Sequence, residues 1–333
     1  MKPARTWKDR LYDPRIRGWV SQAVVFLGVA GFFLWIGGNT ASNLERQGIA
    51  SGFDFLGETS GFDMTMSLIP YDESSSYGTA FLASVVNTLL VSIIGVFLAT
   101  ILGFVIGIAR LSKNWLLAKL AEAYIEIIRN VPLLLQLFFW YFAVLRALPG
   151  PRASLSAFDA IFLNIRGLYV PKPIFENGFH WEIPVLSGFN FQGGLVLIPE
   201  LLSLVFALTI YTASFIAEIV RAGIMAVPKG QSEASLSLGL NRMQTLKLVV
   251  IPQALRVIIP PLTSQYLNLT KNSSLAAAIA YPDLVLVFAG TVLMQTGQAV
   301  EVILMTMSVY LFISLSISIG MNLYNRKMAL VER

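Results

Sequence analysis

Long stretches without charge are the feature that most constrains this sequence. About 20 consecutive apolar residues cross a bilayer as a helix, and six stretches approach or exceed that length with few or no charges. The stretches are Gly18–Leu44, Ser74–Ala109, Ala121–Leu145, Leu201–Ile219, Val257–Tyr281 and Val302–Asn325. We therefore predict an all-α integral membrane protein with six spans.

The composition excludes most other classes of protein. Apolar residues make up 56% of the chain and charged residues 13%, whereas a soluble domain carries about 25% charge. A disordered chain would need low hydrophobicity. The absence of cysteine excludes disulfides, iron–sulfur clusters and thiolate sites. The single histidine, His180, lies in a turn-rich segment and is interpreted as an ordinary loop residue, so neither a metal site nor catalytic residues are expected.

The basic residues predict the orientation in the membrane. One side of the six spans carries 18 Lys and Arg residues and the other carries 5, and the richer side faces the cytoplasm. Both termini are therefore expected in the cytoplasm. The outer segments are then Thr40–Glu73 and Ala147–Pro199; turn formers in the second favour an ordered loop with one short surface helix.

The first span has two interpretations. A basic flank followed by an apolar run also describes a secretory signal peptide, and small residues at Thr40–Ser42 offer a cleavage site. The apolar run is long for a signal peptide, so we favour a retained helix.

The cytoplasmic loop Arg221–Arg256 is the most informative segment. Pro228 and Gly230 should stop the incoming helix, and Ser232 is a candidate cap for a new short helix that Gly239 ends or bends. Several leucines make that helix apolar on more than one side. It therefore needs a docking surface, either on a partner or on the protein's own helix ends.

The spacing in this loop resembles a known motif. Glu233-Ala234-Ser235, three residues, Gly239, nine residues and Val249–Pro252 resemble the EAA motif of ABC importer permeases. Ser235 replaces an alanine of that motif, and the aliphatic residues before the proline are conservatively changed. Residues 211–221 (YTASFIAEIVR) and 271–275 (KNSSL) look like the polar amino-acid permease subfamily. The longer run 262–285 resembles the general L-amino-acid permeases of the Aap/Bzt type.

The resemblance implies a fold and a division of the chain. It implies a MetI-like bundle of five core transmembrane helices, to which this chain adds one N-terminal helix. Residues 1–75 would hold the cytoplasmic N-terminus, the extra helix and an acidic outer loop. Residues 76–327 would form the permease domain, with an outer insertion at 147–199 and the coupling loop at 221–256. Residues 328–333 would be a cytoplasmic tail.

The same resemblance implies partners. Four residues of the motif would couple to a cytoplasmic ABC ATPase dimer: Glu233, Ala234, Ser235 and Gly239. A second homologous permease, a periplasmic amino-acid-binding protein and membrane lipid would complete the assembly in a bacterial inner membrane, with no nucleic acid. No Gly-Lys dipeptide occurs, so the chain lacks a phosphate-binding P-loop. ATP and magnesium are expected on the partner ATPase, and this chain is expected to be a transport subunit rather than an enzyme.

A polar cluster in the fifth span is the candidate substrate pathway. A charge at the centre of a span costs about 2.5–3.5 kcal/mol on insertion scales and is a candidate functional residue. Pro260-Pro261 should kink the helix nearby. The cluster comprises Gln265, Thr270, Lys271, Asn272, Ser273 and Ser274. We expect Lys271 to meet the substrate carboxylate; the alternative is a structural ion pair with an acid of this chain or a partner.

Two charged pairs recur at i,i+3 spacing, where side chains share a helix face. Glu218 and Arg221 near the end of the fourth span are a candidate gate or a brace for the coupling loop, with a local salt bridge as the simpler interpretation. Glu126 and Arg129 repeat the spacing at the membrane boundary.

The predicted function is transport of polar L-amino acids, with broad specificity, by a permease subunit of an ABC importer. A narrower permease for glutamate/aspartate or histidine is the first alternative. A stand-alone secondary transporter is the second, although the chain shows no internal repeat.

Overall fold

A computed structural model describes residues 14–46, 51–175 and 178–328. The predicted N-terminal segment before residue 14 lies outside the described residues, as do residues 329–333 of the predicted tail. Within the described ranges the chain forms a helical membrane bundle with a small β unit inserted between two of its helices.

Ten α-helices are present among the described residues. They are α1 Pro14–Arg46, α2 Tyr77–Arg110, α3 Trp115–Asn130, α4 Leu133–Phe138, α5 Pro199–Met225, α6 Lys229–Ser237, α7 Arg242–Thr245, α8 Ile251–Asn272, α9 Leu293–Thr296 and α10 Ala299–Met328. Three π-helical segments extend them: Phe139–Leu145, Leu246–Val250 and Val285–Val292. Short 3₁₀ turns occur at Asp54–Gly57, Pro151–Ala153 and Ser273–Ile279.

Five helical segments of the described chain are long and apolar enough to cross a membrane. The segments are Pro14–Thr40 of α1, all of α2, all of α5, the stretch Arg242–Ile279, and Ala299–Lys327 of α10. A sixth span results if the bent pair α3 and Leu133–Leu145 counts as one. The predicted helical membrane bundle is therefore confirmed, although the inserted β unit means that the chain is not all-α. The count of six spans and the side on which each terminus lies stay predictions.

The third predicted span is not one straight helix. Its two halves meet at an angle of 105°, and the break falls at Val131, which is extended (φ −100°, ψ 128°). A residue before proline is pushed out of the helical region by the proline ring, and Pro132 follows directly. The prediction of a continuous span over Ala121–Leu145 was wrong for this reason.

Small residues let α2 and α5 approach closely. Gly95, Ala99, Gly103 and Gly107 recur at every fourth position of α2 and are buried. A methyl group on Gly103 would lie 2.5 Å from Cγ2 of Ile216. Since small residues at this spacing bring membrane helices into backbone contact, α5 packs closely against Gly103 and Gly107, whereas Gly95 faces Leu269 of α8.

The fifth predicted span begins earlier than expected and ends in a turn. Helix α8 starts at Ile251 and keeps Pro260 and Pro261 inside one uninterrupted helix, so the two prolines do not break it. A 3₁₀ turn then leads to Ala280, which adopts the left-handed conformation. The apolar segment Val285–Thr296 that follows was not predicted as a separate element.

The outer insertion is a β unit, not the predicted loop with a helix. Its described residues form eight strands: β1 Leu155–Ala157, β2 Ile161–Asn164, β3 Gly167–Val170, β4 Lys172–Ile174, β5 His180–Glu182, β6 Val185–Ser187, β7 Asn190–Gln192 and β8 Leu195–Leu197. An antiparallel sheet has the order β1-β2-β3-β8, and β4-β5 and β6-β7 form two hairpins. Strands of three or four residues are too short to show the alternation by which strands are recognised in a sequence.

Buried aromatic rings hold this β unit together. Phe191 packs against Phe162 and Tyr169, with ring centroids 4.5 and 4.9 Å apart. Strand β8 leads directly into Pro199, the first residue of α5. The β unit and the coupling loop therefore lie at opposite ends of the same buried helix.

Candidate functional site

The coupling loop is a short helix followed by a sharp turn and a second helix. Helix α6 starts after Pro228, whose ring holds φ at −59°. The prediction that Ser232 caps this helix was wrong, because the helix begins three residues earlier at Lys229. Gly239 lies beyond the helix end with φ +84°, a left-handed conformation that glycine adopts without strain. Its predicted role in ending the helix is confirmed.

The second helix is fixed by a capping box. The Asn241 side chain accepts a hydrogen bond from the Gln244 backbone, and the Gln244 side chain accepts one from the Asn241 backbone, both at 2.9 Å. From Arg242 the chain continues through α7, a π-helical segment and α8 to Asn272 without an interruption. One continuous helical segment therefore joins the coupling loop to the end of α8.

The motif residues of α6 divide between two faces. Glu233, Ala234 and Gly239 are exposed, whereas Ser235 is buried. The Ser235 hydroxyl lies 2.9 Å from Oγ1 of Thr245 on α7 and 2.8 Å from the backbone oxygen of Ser232. Ser235 thus fastens α6 to α7 from within, while Glu233 faces outward.

The coupling loop also exposes large apolar side chains. Leu238 is 83% exposed and Met243 70% exposed. Large exposed apolar side chains in the same loop as the exposed Glu233 are suited to docking on a partner rather than to solvent. The alternative, that the loop docks on the protein's own helix ends, does not account for these exposed side chains.

Four charged residues form an ionic brace, defined as Arg110, Glu122, Glu218 and Arg221. The Arg221 Nε lies 3.1 and 3.0 Å from the two Glu218 carboxylate oxygens. The Arg110 guanidinium lies 3.6 Å from Glu218 and 3.6 Å from Glu122. The pair predicted from spacing is therefore present, and it belongs to a network that joins α2, α3 and α5 beside the coupling loop.

The predicted substrate-pathway residues do not share one surface. Lys271 lies on an exposed stripe of α8 with Ser264 and Asn268, whereas Thr270 and Ser273 are buried in the bundle. The hydroxyls of these two residues donate to backbone oxygens of Tyr266 and Thr270. Gln265, Asn272 and Ser274 are half-buried, and the Ser274 hydroxyl donates to the Lys271 backbone oxygen. Among the described residues no ion pair includes Lys271.

A buried turn next to this stripe was missed from the sequence. Asp283 is 1% exposed and its Oδ1 accepts a hydrogen bond from the Leu286 backbone. The neighbouring Leu284 backbone donates to Thr88 on α2, and the Tyr281 hydroxyl donates to the Asn87 backbone. Asp283 directly follows Pro282 inside an apolar run, and this sequence feature could have indicated the buried turn.

Comparisons with known proteins agree with this geometry. The sequence model of a family described as "Binding-protein-dependent transport system inner membrane component" matches residues 99–330. The putative amino-acid ABC transporter permease protein YhdX of Escherichia coli is 52% identical over 96% of each chain. The general L-amino acid transport system permease protein AapQ of Rhizobium johnstonii is 46% identical over 98% of this chain and 96% of its own.

A further relative and a solved structure extend the comparison. The permease protein BztB of a glutamate/glutamine/aspartate/asparagine transport system from Rhodobacter capsulatus is 37% identical over 97% of this chain and 96% of its own. A crystal structure of an amino acid ABC transporter with histidines superposes with a TM-score of 0.55 and 25% identity, covering 75% of this chain and 95% of the other.

Proposed function

The chain belongs to the family of binding-protein-dependent transport system inner membrane components, and on that premise we propose that it is the permease subunit of an ABC importer for polar L-amino acids. Broad specificity is proposed because AapQ, a general L-amino acid permease by name, and BztB, named for four amino acids, align over nearly the whole chain. A multi-pass protein of the bacterial inner membrane is the corresponding location.

The observation that carries the proposal is the geometry of the coupling loop. Exposed Glu233 lies on α6, which the Ser235 hydroxyl ties to α7. The exposed apolar side chains of Leu238 and Met243 lie at the end of α6 and on α7. Closure of a cytoplasmic ABC ATPase dimer, with ATP and magnesium bound to that partner, would pull on α6. Because α7 and α8 form one continuous segment, the pull would reach Lys271 as a rigid-body movement that alternates access to the pathway.

The ionic brace supports the same mechanism. It ties the α5 end nearest the coupling loop to α2 and α3, so three helices would move as one body. We propose that Glu218 and Arg221 act as a brace in this sense. Lys271, on the exposed stripe of α8, would meet the substrate carboxylate against a second homologous permease. A periplasmic binding protein would deliver the substrate on the side of the β unit.

Co-purification from native membranes tests the proposal. The tagged chain should recover an ABC ATPase, and Glu233→Arg should release it, because reversing an exposed charge at the docking surface repels a matched partner. Glu73→Arg is the matched control: it makes the same charge change on an exposed residue of the outer segment and should leave recovery unchanged. A wild-type chain that recovers no ATPase in mild detergent would favour the stand-alone transporter instead.

A further inference from the structure

A polar cleft of about 350 Å³ opens between α2, α3 and α5. Its walls include Arg110, Glu126, Arg129, Phe215 and Glu218. Phe215 lies ten residues before the end of α5 at Met225, which is about 15 Å at 1.5 Å per residue. Arg110, another wall residue, is the last residue of α2. The cleft therefore lies near the end of the bundle that carries the coupling loop.

Some charged side chains that line the cleft have an ion-pair partner in the described chain, and others do not. Glu218 and Arg110 already have partners in the ionic brace. Glu126 and Arg129 stand at a spacing that suits an ion pair, yet no ion pair of the described residues includes either one. A carboxylate and a guanidinium thus face the same cleft, one helical turn apart, without neutralising each other.

The position of Arg129 is fixed by its neighbours. Its guanidinium carbon lies 4.9 Å from the centre of the Phe215 ring, a cation–π contact that holds the planar group. The nitrogen edges of a guanidinium held by its face stay free to donate in pairs to a carboxylate. The adjacent Asn130 donates to the Glu126 backbone oxygen at 2.7 Å, which completes the last turn of the helix at the cleft.

We propose that this cleft binds the zwitterionic head of an α-amino acid, with Arg129 on the carboxylate and Glu126 on the ammonium group. The ligand class rests on the proposed function; the site itself is distinct from Lys271. Charged groups that line a cleft without an ion-pair partner in the described chain can form charge-assisted hydrogen bonds with a ligand of opposite charge. The volume lies at the small end of ligand sites, roughly 300–1,000 Å³, and recognition of only the shared head group allows many side chains.

A site-specific probe is available because the chain contains no cysteine. Asn130→Cys places a thiol on the cleft wall, and its labelling by a maleimide in the complete transporter reports occupancy of the cleft. L-Serine should slow this labelling about tenfold at nine-tenths occupancy. L-Serine methyl ester, which lacks the carboxylate charge, and L-glycerate, which lacks the ammonium group, should not protect at the same concentration.

Second substitutions test the two charges. Adding Glu126→Gln or Arg129→Gln should raise the half-protecting concentration of L-serine by about tenfold or more, whereas Lys119→Gln on the exposed face of the same helix should not. Serine protection that is absent, or that persists equally in both variants, would overturn the proposal. So would loss of the second permease from the variants, since the charges would then pair across subunits. If the ATPase still co-purifies with these variants, the proposed function stands whether or not the cleft binds serine.

Discussion

Glu218 joins two arginines of the ionic brace, Arg110 and Arg221. It accepts two hydrogen bonds from Arg221 Nε and lies 3.6 Å from Arg110. The spacing of Glu218 and Arg221 predicted the first contact. Arg110 is more than 100 positions away in the chain, so no local pattern could predict the second.

Glu218→Gln should destabilise the protein, because the partly buried Arg221 loses its carboxylate partner and Arg110 keeps only Glu122. Breaking such a pair costs up to about 3 kcal/mol. We expect a lower Tm of the detergent-purified protein, measured by size-exclusion chromatography after heating. Lys119→Gln, which removes a well-exposed partner of Glu122, should change Tm far less. Equal Tm values for Glu218→Gln and wild type would show that the brace does not stabilise the bundle.

Substitution of Lys271 tests the proposed substrate pathway. Lys271→Met removes the charge and leaves an unbranched side chain one atom shorter, so amino-acid uptake should be abolished while the complex still assembles. Asn268→Ala, on the same exposed stripe, is a control for general damage to that surface. Uptake at the wild-type rate by Lys271→Met would exclude the carboxylate-binding role.

Long apolar runs predicted where the helices lie, but they did not predict where the helices end or bend. The apolar runs identified α1, α2, α5, α8 and α10 because burial in lipid needs about 20 apolar residues regardless of tertiary context. The bend at Val131 depends on one proline whose effect competes with packing. The strands of the outer β unit are held by pairing between segments, which a single short run does not reveal.

The close contact between α2 and α5 predicts that an added methyl group at this contact destabilises the protein. Gly103→Ala would place a methyl group 2.5 Å from Cγ2 of Ile216 and 3.1 Å from the backbone oxygen of Ala213. Overpacking of this kind costs about 1–3 kcal/mol, so Tm should fall. Gly320→Ala in α10 meets nothing within 4 Å and should leave Tm unchanged or raise it slightly. A Gly103→Ala protein as stable as wild type would contradict the close packing.

The two candidate partner surfaces, the β unit and the coupling loop, lie at opposite ends of α5. This helix has 27 residues and is therefore about 40 Å long, enough to separate the β unit from the coupling loop across a bilayer. That arrangement agrees with the orientation predicted from the basic residues. The motif in the coupling loop predicted the family correctly, but the cleft at Glu126 and Arg129 depends on three helices meeting and could not be read from spacing alone.

Transport by the reconstituted assembly tests the central claim most directly. Vesicles containing the chain with its co-purified ATPase and second permease, supplied with the binding protein and with ATP on the ATPase side, should accumulate labelled L-glutamine. Glu233→Arg should reduce accumulation to the level seen without ATP. Accumulation by vesicles that contain this chain without an ATPase would contradict the account and identify a transporter that works alone.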